Sequence, residues 1–186
     1  NQGIKYVKEN EWVFFWGSDD WLENKNVLLK INQNLCKQDF EKCDIKVFSA
    51  RFFDKNNSKA RRIFFTNSKI KYYNNKQFIR ELFWGNTPPH QSTLFGPKIL
   101  RKNINYDENL KIASDLLFFL KISRFKDLKL KVVDDQIINL GNSGVSSRNN
   151  SIKLKEVFYC YYKFFKILAV ISFTARYFKK VISKFN

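Results

Sequence analysis

Two adjacent carboxylates, Asp19 and Asp20, follow the aromatic run of residues 11–16 and the turn residues Gly17 and Ser18. A run this short and apolar, closed by glycine, predicts a buried strand. Carboxylates just past the end of such a strand stand where open α/β sheets bind ligands. Side by side they repel unless a cation or solvent relieves them. A hard divalent ion is commonly held by one or two carboxylates together with substrate phosphates. Taken alone, these four residues are equally an ordinary turn, with Asp19 or Asp20 capping the next helix.

The elements that must position this pair alternate between helix and strand. Residues 1–9 predict a short helix before the aromatic strand, and residues 25–37 carry apolar side chains at helical spacing (Val27, Leu28, Ile31, Leu35). Residues 44–54 and 60–66 predict a hairpin around a turn at residues 55–58. Residues 74–84 predict a helix. Residues 85–90 hold Pro88 and Pro89, which remove donors and exclude helix or central strand. A short strand follows at 91–95. Ser114 is expected to cap a helix over 115–125. Residues 129–140 predict a strand, 141–144 a loop, and the chain from about 151 is helical. Mixed elements without a linker or internal repeat predict an α/β or α+β domain.

Asn1–Ile4, then residues 11–22 with Ser18-Asp19-Asp20, resemble the family 2 glycosyltransferases, whose GT-A fold places an aspartate-rich metal motif at a strand end. The likeness continues in order through Trp84–Phe95, similar to a segment entering the acceptor site in relatives that build bacterial surface polysaccharides. Next comes Tyr106–Lys121, similar to the segment bearing the catalytic base, and then Gly144–Ser147, similar to a loop beyond the last strand. The resemblance implies a partial GT-A mixed sheet with flanking helices over residues 1–150, lacking the first strands, plus a helical tail at 151–186. It implies an inverting, metal-dependent transfer of a sugar from a nucleotide diphosphate donor to a hydroxyl of a lipid-linked or glycan acceptor. Asp20 would ligate Mn²⁺ or Mg²⁺, with Asp19 assisting at the donor. Asp115 would be the general base, with Asp107 and Glu108 as fallback carboxylates. His90 and Gln91 would hydrogen-bond the acceptor and Trp84 would stack on it. Each also has a plainer structural role: a satisfied histidine, a packed tryptophan, an acid favouring a helix dipole. Ser18 departs from the family's metal motif, where aspartate is common. The strands that hold the nucleoside in this family would precede Asn1.

Composition bounds these readings. The 186 residues carry 34 Lys plus Arg against 17 Asp plus Glu, a formal charge of +17, with 44% apolar residues. That is enough apolar content for a core, and too many aromatics for a disordered basic tail. Residues 1–40 are nearly neutral, whereas residues 151–186 carry eight basic side chains and one acidic. Such a surface attracts polyanions. The abundance of Lys, Asn, Phe and Ile also matches AT-rich coding, which raises positive charge without a functional cause. Three cysteines without C-x-x-C spacing and a lone histidine argue against a disulfide scaffold and a structural zinc site, and for a reduced intracellular setting. The absence of Met points to a processed protein or a piece of a longer one.

In the tail, Lys155, Lys163, Lys166, Arg176, Lys180 and Lys184 fall on one side of a single helical wheel and aromatics on the other. This suits a helix, or two shorter ones, lying on an anionic membrane surface at the cytoplasmic face of the plasma membrane. Two helices packed on the catalytic domain are the alternative. A basic, aromatic nucleic-acid-binding module is a less favoured function, and an inactive transferase fragment another.

Overall fold

The computed structural model describes residues 2–36, 43–54, 57–63, 65, 71–102, 104–141 and 149–185. A 3₁₀ turn (Gly3–Tyr6) leads into β1 (Val13–Phe14), β2 (Trp21–Leu22) and α1 (Val27–Cys36). Then follow β3 (Ile45–Asp54), β4 (Asn57–Ile63), β5 (Tyr72–Asn74) and α2 (Asn75–Phe83). A 3₁₀ turn (His90–Ser92) precedes β6 (Thr93–Phe95), the short α3 (Pro97–Leu100), α4 (Ser114–Ile122) and β7 (Lys129–Leu140). The chain ends in α5 (Asn150–Phe165), a 3₁₀ link (Lys166–Leu168) and α6 (Ala169–Phe185).

The sheet runs β1-β6-β3-β7-β2, with β4 on β3 and β5 on β7. β3 and β7 are parallel and every other pair is antiparallel. Their register slips between Val47 and Ala50, so Ile45 faces Leu130 whereas Ala50 faces Ile138. The extra residues bend β7, as bulges do. Alternation along β3 divides the core. Ile45 and Val47 join Phe78, Leu82, Phe95, Phe119, Leu130 and Tyr161 on one face. Phe48 and Ala50 join Val27, Ile31, Leu94 and Ile138 on the other. Helices cover both faces, which is why the strands read as apolar runs.

The expected strand at residues 11–16 is shorter and less buried than its composition suggests. β1 spans two half-buried residues at the end of the strand order and, among the described residues, pairs only with β6. The 74–84 helix is set by a capping box: Asn74 Oδ1 accepts from Gln77 N, and Gln77 Oε1 accepts from Asn74 N. Ser114 is not the cap of α4. Ala113 holds that position without a side-chain bond, and the Ser114 hydroxyl donates to Asp107 O. α4 is buried almost all round, with Leu116 through Leu120 each no more than 3% exposed, so it is a core helix rather than an amphipathic one.

The tail is two helices. Lys166 takes a positive φ of 54° at the break, so a single helical wheel does not describe it. Val157, Cys160 and Tyr161 of α5 and Ala169 and Ser172 of α6 are buried. The loop after α2 receives α6 directly. Gly85 has φ +82°, and a Cβ there would lie 2.6 Å from Arg176 Cα, too close for any side chain. Arg176 Nη1 donates to Gly85 O, Thr87 Oγ1 and Tyr161 Oη. Lys179 Nζ donates to Asn86 Oδ1. Gly85→Ala therefore strains the backbone and pushes α6 away. The cost is about 2–4 kcal/mol, a fall of roughly 5–10 °C in thermal midpoint, measurable by calorimetry. An unchanged midpoint would show that α6 is not seated on this glycine.

Candidate active site

The turn carrying the paired carboxylates is closed by its own side chains. Trp16 Nε1 donates to Asp20 O, and Gly17 N donates to Asp20 Oδ2. The second carboxylate oxygen, Asp20 Oδ1, accepts from Gly141 N at the end of β7. Asp20 thus ties the turn to the sheet. Burial pushes its pKa up, the amides of Gly141 and Gly17 pull it back, and Asp19 raises it again. Gly141 is required here: a Cβ would stand 2.5 Å from Asp19 O.

The turn opens into a cleft of about 460 Å³ whose walls come from distant parts of the chain. Asp19, Asp20, His90, Gln91 and Asp115 all line it. Among the described residues Trp84 does not. It ends α2 about half exposed, edge-on to Phe83. Asp107 is engaged elsewhere, accepting from Asn109 N and lying 3.8 Å from Lys163 Nζ. The residues 144–147 singled out in the sequence lie outside the described residues.

His90 sits beneath Asp115. The Pro88-Pro89 segment delivers it into the 3₁₀ turn, which is held by Ser92 and Thr93 hydroxyls donating to Pro89 O. Phe15, Phe95, Phe119 and Tyr106 surround the imidazole at ring distances of 5.1–5.9 Å. Its Nε2 shares a 2.6 Å hydrogen bond with the Tyr106 hydroxyl and lies 3.9 Å from Asp115 Oδ1. Burial lowers the His90 pKa, and Asp115 only partly offsets this, so the ring is neutral at pH 7. Burial, reinforced by the Asp115 charge, pushes Tyr106 far above the ordinary phenol range and keeps it protonated. Asp115 itself is about half exposed and open to the cleft.

Two features of the site were not singled out in the sequence. Glu156 on α5 accepts from three consecutive amides, Lys111 N, Ile112 N and Ala113 N, immediately before α4. It fixes the loop that delivers Asp115. The other feature is cationic: Lys153 of α5, and Arg176 and Lys180 of α6, which the sequence placed on one side of a lipid-facing helix, line the same cleft as Asp19 and Asp20. The carboxylates are therefore not far from positive charge. The single acid among the tail's basic residues was a visible signal for the first. No local pattern marks the second.

Among the described residues no group of three or more His, Cys, Asp or Glu side chains is placed to hold a metal. The Asp19–Asp20 pair does not fit a protein-only metal site. It fits a hard cation that shares substrate oxygens.

No protein-family model matches the chain, and no curated protein matches it. Solved structures do. Crystal structures of S. aureus TarS share its fold. TarS 1–349 superposes with a TM-score of 0.58 at 17% identity, covering 87% of this chain and 42% of that one. The same fragment in complex with UDP gives 0.56 at 19% identity with the same coverage. A further TarS structure gives 0.53 at 17%, with 26% of that chain covered. The fold is a partial GT-A fold with a C-terminal helical tail, as the sequence predicted. The chain spans less than half of the TarS fragments it matches.

The buried imidazole makes stability depend on pH. With its pKa below 6.5, His90 takes up a proton more readily in the unfolded chain. Its contribution to stability is present above that value and is lost as pH falls through the folded-state pKa. Between about pH 7.5 and about pH 4.5, the thermal midpoint of the wild type should fall more steeply than that of His90→Gln. Parallel curves would show that His90 does not titrate differently in the two states.

Proposed function

We propose that this chain is a family 2 glycosyltransferase that moves a sugar, with inversion, from a nucleotide diphosphate donor to a hydroxyl of a lipid-linked or glycan acceptor. The observation that carries the reading is the cleft itself. The Ser18-Asp19-Asp20 turn and Asp115 open into one space, in a fold shared with TarS. One TarS structure contains UDP, which supports a nucleotide donor. Many of the aromatics that single-strand nucleic-acid binding would need on the surface are instead in the core, including Phe48, Phe78, Phe95, Phe118 and Phe119.

In this reading Asp19 and Asp20 form the donor end of the cleft, with Asp20 the ligand of Mn²⁺ or Mg²⁺. That ion, when bound, supplies positive charge to the departing diphosphate. Asp20 suits the role because burial and Asp19 both oppose its ionisation, a cost that a cation relieves. His90 and Gln91 meet the acceptor. The acceptor hydroxyl attacks the anomeric carbon and its proton passes to the Asp115 carboxylate. The bond to the diphosphate oxygen breaks on the opposite side, and the electron pair leaves with the diphosphate. Trp84 has no place in this scheme, since it does not line the cleft.

The test is a pair of substitutions in the full chain. Asp115→Asn should retain donor affinity and lose transfer by about 10²–10⁴-fold, the usual size of general-base catalysis. Asp20→Ala should lose the metal-dependent part of donor binding measured by calorimetry. Near-normal transfer by Asp115→Asn would remove the base from the mechanism.

Residues 151–186 also supply the membrane contact in this reading. By length and composition alone, residues 150–181 suffice to cross a membrane. The break at Lys166 and the burial of one face against the domain favour a surface layer instead. The other face exposes Phe158, Tyr162, Ile167, Val170, Ile171 and Phe178, with Ile167 85% exposed. Apolar side chains flanked by lysines suit the cytoplasmic face of an anionic plasma membrane. Replacing Ile167, Ile171 and Phe178 with Asp should abolish sedimentation with anionic liposomes while leaving the thermal midpoint within a few degrees. Equal sedimentation would show that this face is not the anchor.

A further inference from the structure

We propose that a pocket between α4 and the end of α5, separate from the cleft, binds one acyl chain of an anionic phospholipid and holds the lipid phosphate at its rim. The proposal rests on the membrane reading of the tail only for the source of that lipid.

The pocket has a volume of about 450 Å³, within the range of roughly 300–1,000 Å³ that takes a small ligand. It shares no lining residue with the cleft. Asp115 lines the cleft and Leu117 lines the pocket, two positions apart and so on nearly opposite sides of α4. On α5, Lys153 lines the cleft and Phe164 the pocket, roughly 16 Å apart along the helix axis.

The lining has two chemistries. Ile104, Leu117, Phe125 and Phe164 give it an apolar floor continuous with the main core. Lys121, Arg124 and Lys163 give it a cationic rim, and among the described residues no carboxylate lines it. Two of these cations are anchored: Lys121 Nζ donates to Asn105 O, and Lys163 Nζ donates to Tyr159 Oη and lies 3.8 Å from Asp107 Oδ2. Arg124 is held otherwise, with its guanidinium 4.0 Å from the centre of the Phe164 ring. Stacking uses the face of a guanidinium and leaves its edge, which carries the N–H donors, for phosphate oxygens. Free phosphate has no use for the apolar floor, and a neutral hydrocarbon has none for the rim. An anion on an apolar chain uses both.

The position of the pocket points to the membrane as the source. Phe164 stands three residues before Ile167, which is 85% exposed at the break between α5 and α6. Calorimetry on the full chain with alkyl phosphates, kept below their micelle concentrations, tests the pocket without a membrane. From butyl to octyl phosphate, affinity should rise about two- to fourfold per added methylene, the gain from burying each one. Lys121→Gln/Arg124→Gln should weaken octyl phosphate binding by about tenfold. Lys76→Gln/Lys155→Gln removes the same charge from exposed positions outside the pocket and should change affinity little. Ile104 is half-buried, and Ile104→Trp puts an indole into the pocket. That variant should lose the rise with chain length while its thermal midpoint stays within a few degrees. Dihexanoyl phosphatidylglycerol should compete with octyl phosphate.

Octyl phosphate binding no tighter than inorganic phosphate would overturn the proposal. So would equal binding of octyl glucoside, which carries the same chain on a neutral head, or equal losses in the rim and control pairs. Absence of competition by the phosphatidylglycerol would overturn the phospholipid assignment. The variant with Ile167, Ile171 and Phe178 replaced by Asp should bind octyl phosphate as the wild type does. If that variant still sediments with liposomes while the chain-length dependence holds, the membrane reading of the tail falls and the pocket stands. If it no longer sediments and the wild type shows no chain-length dependence, the pocket falls and the membrane reading stands.

Discussion

The candidate site depends on one carboxylate. Glu156 is the only acid in residues 151–186, and it accepts from three successive amides at the entrance to α4. Those amides precede a helix whose own cap lacks a side-chain bond, so they would otherwise be left to solvent. The interaction fastens α5 to the loop that carries Asp115. Although burial alone would push its pKa up, the amides of Lys111, Ala113 and Ile112 and the Lys111 charge bring Glu156 below the usual carboxylate range. It is therefore ionised, with charge-assisted bonds throughout the neutral pH range. Once α5 is fixed, Tyr161 is set in the core, and its hydroxyl accepts from Arg176. Arg176 then seats α6 on the loop at residues 85–87. Asp115 and the cleft residues Arg176 and Lys180 are positioned by the same chain of contacts.

That chain explains which parts were legible from residues alone. Periodicity and capping report on neighbours in sequence. The 129–140 strand therefore agrees with β7 at both ends, and the capping box at Asn74 begins α2 where its pattern says it should. Ser114 misled because Ser is a good cap by type, yet the helix already begins at Ser114 with Ala113 in the cap position, and the Ser114 hydroxyl donates to Asp107 O instead. The single helical wheel misled because it assumes an unbroken rotation. At Lys166 the backbone turns with positive φ, and no glycine or proline announces it. Arg176 and Lys180 line the cleft, while Lys155 and Lys166 do not.

The positive charge has a comparable history. Lysine-rich composition can arise from coding bias, and most of the described basic residues are exposed. Three of them are not placed by composition. They converge on the paired carboxylates of a turn formed early in the chain, from two helices formed at its end. The sheet is what makes the meeting possible. β7 carries Gly141 to the Asp20 turn, and the chain beyond it returns as α5 over the face that holds α4.

His90 completes the argument about Asp115 by what it does not carry. A protonated imidazole 3.9 Å from that carboxylate would be a permanent cationic partner, lowering the basicity on which the proposed role of Asp115 depends. Three phenylalanine rings around His90 make that protonation costly. Tyr106, stacked on Phe118 at 4.3 Å, closes the remaining polar edge with a neutral hydroxyl. The apolar packing that reads as mere core in the sequence thus has an electrostatic consequence. It leaves the cleft carboxylate half exposed and beside a neutral histidine, as the proposed base role would require.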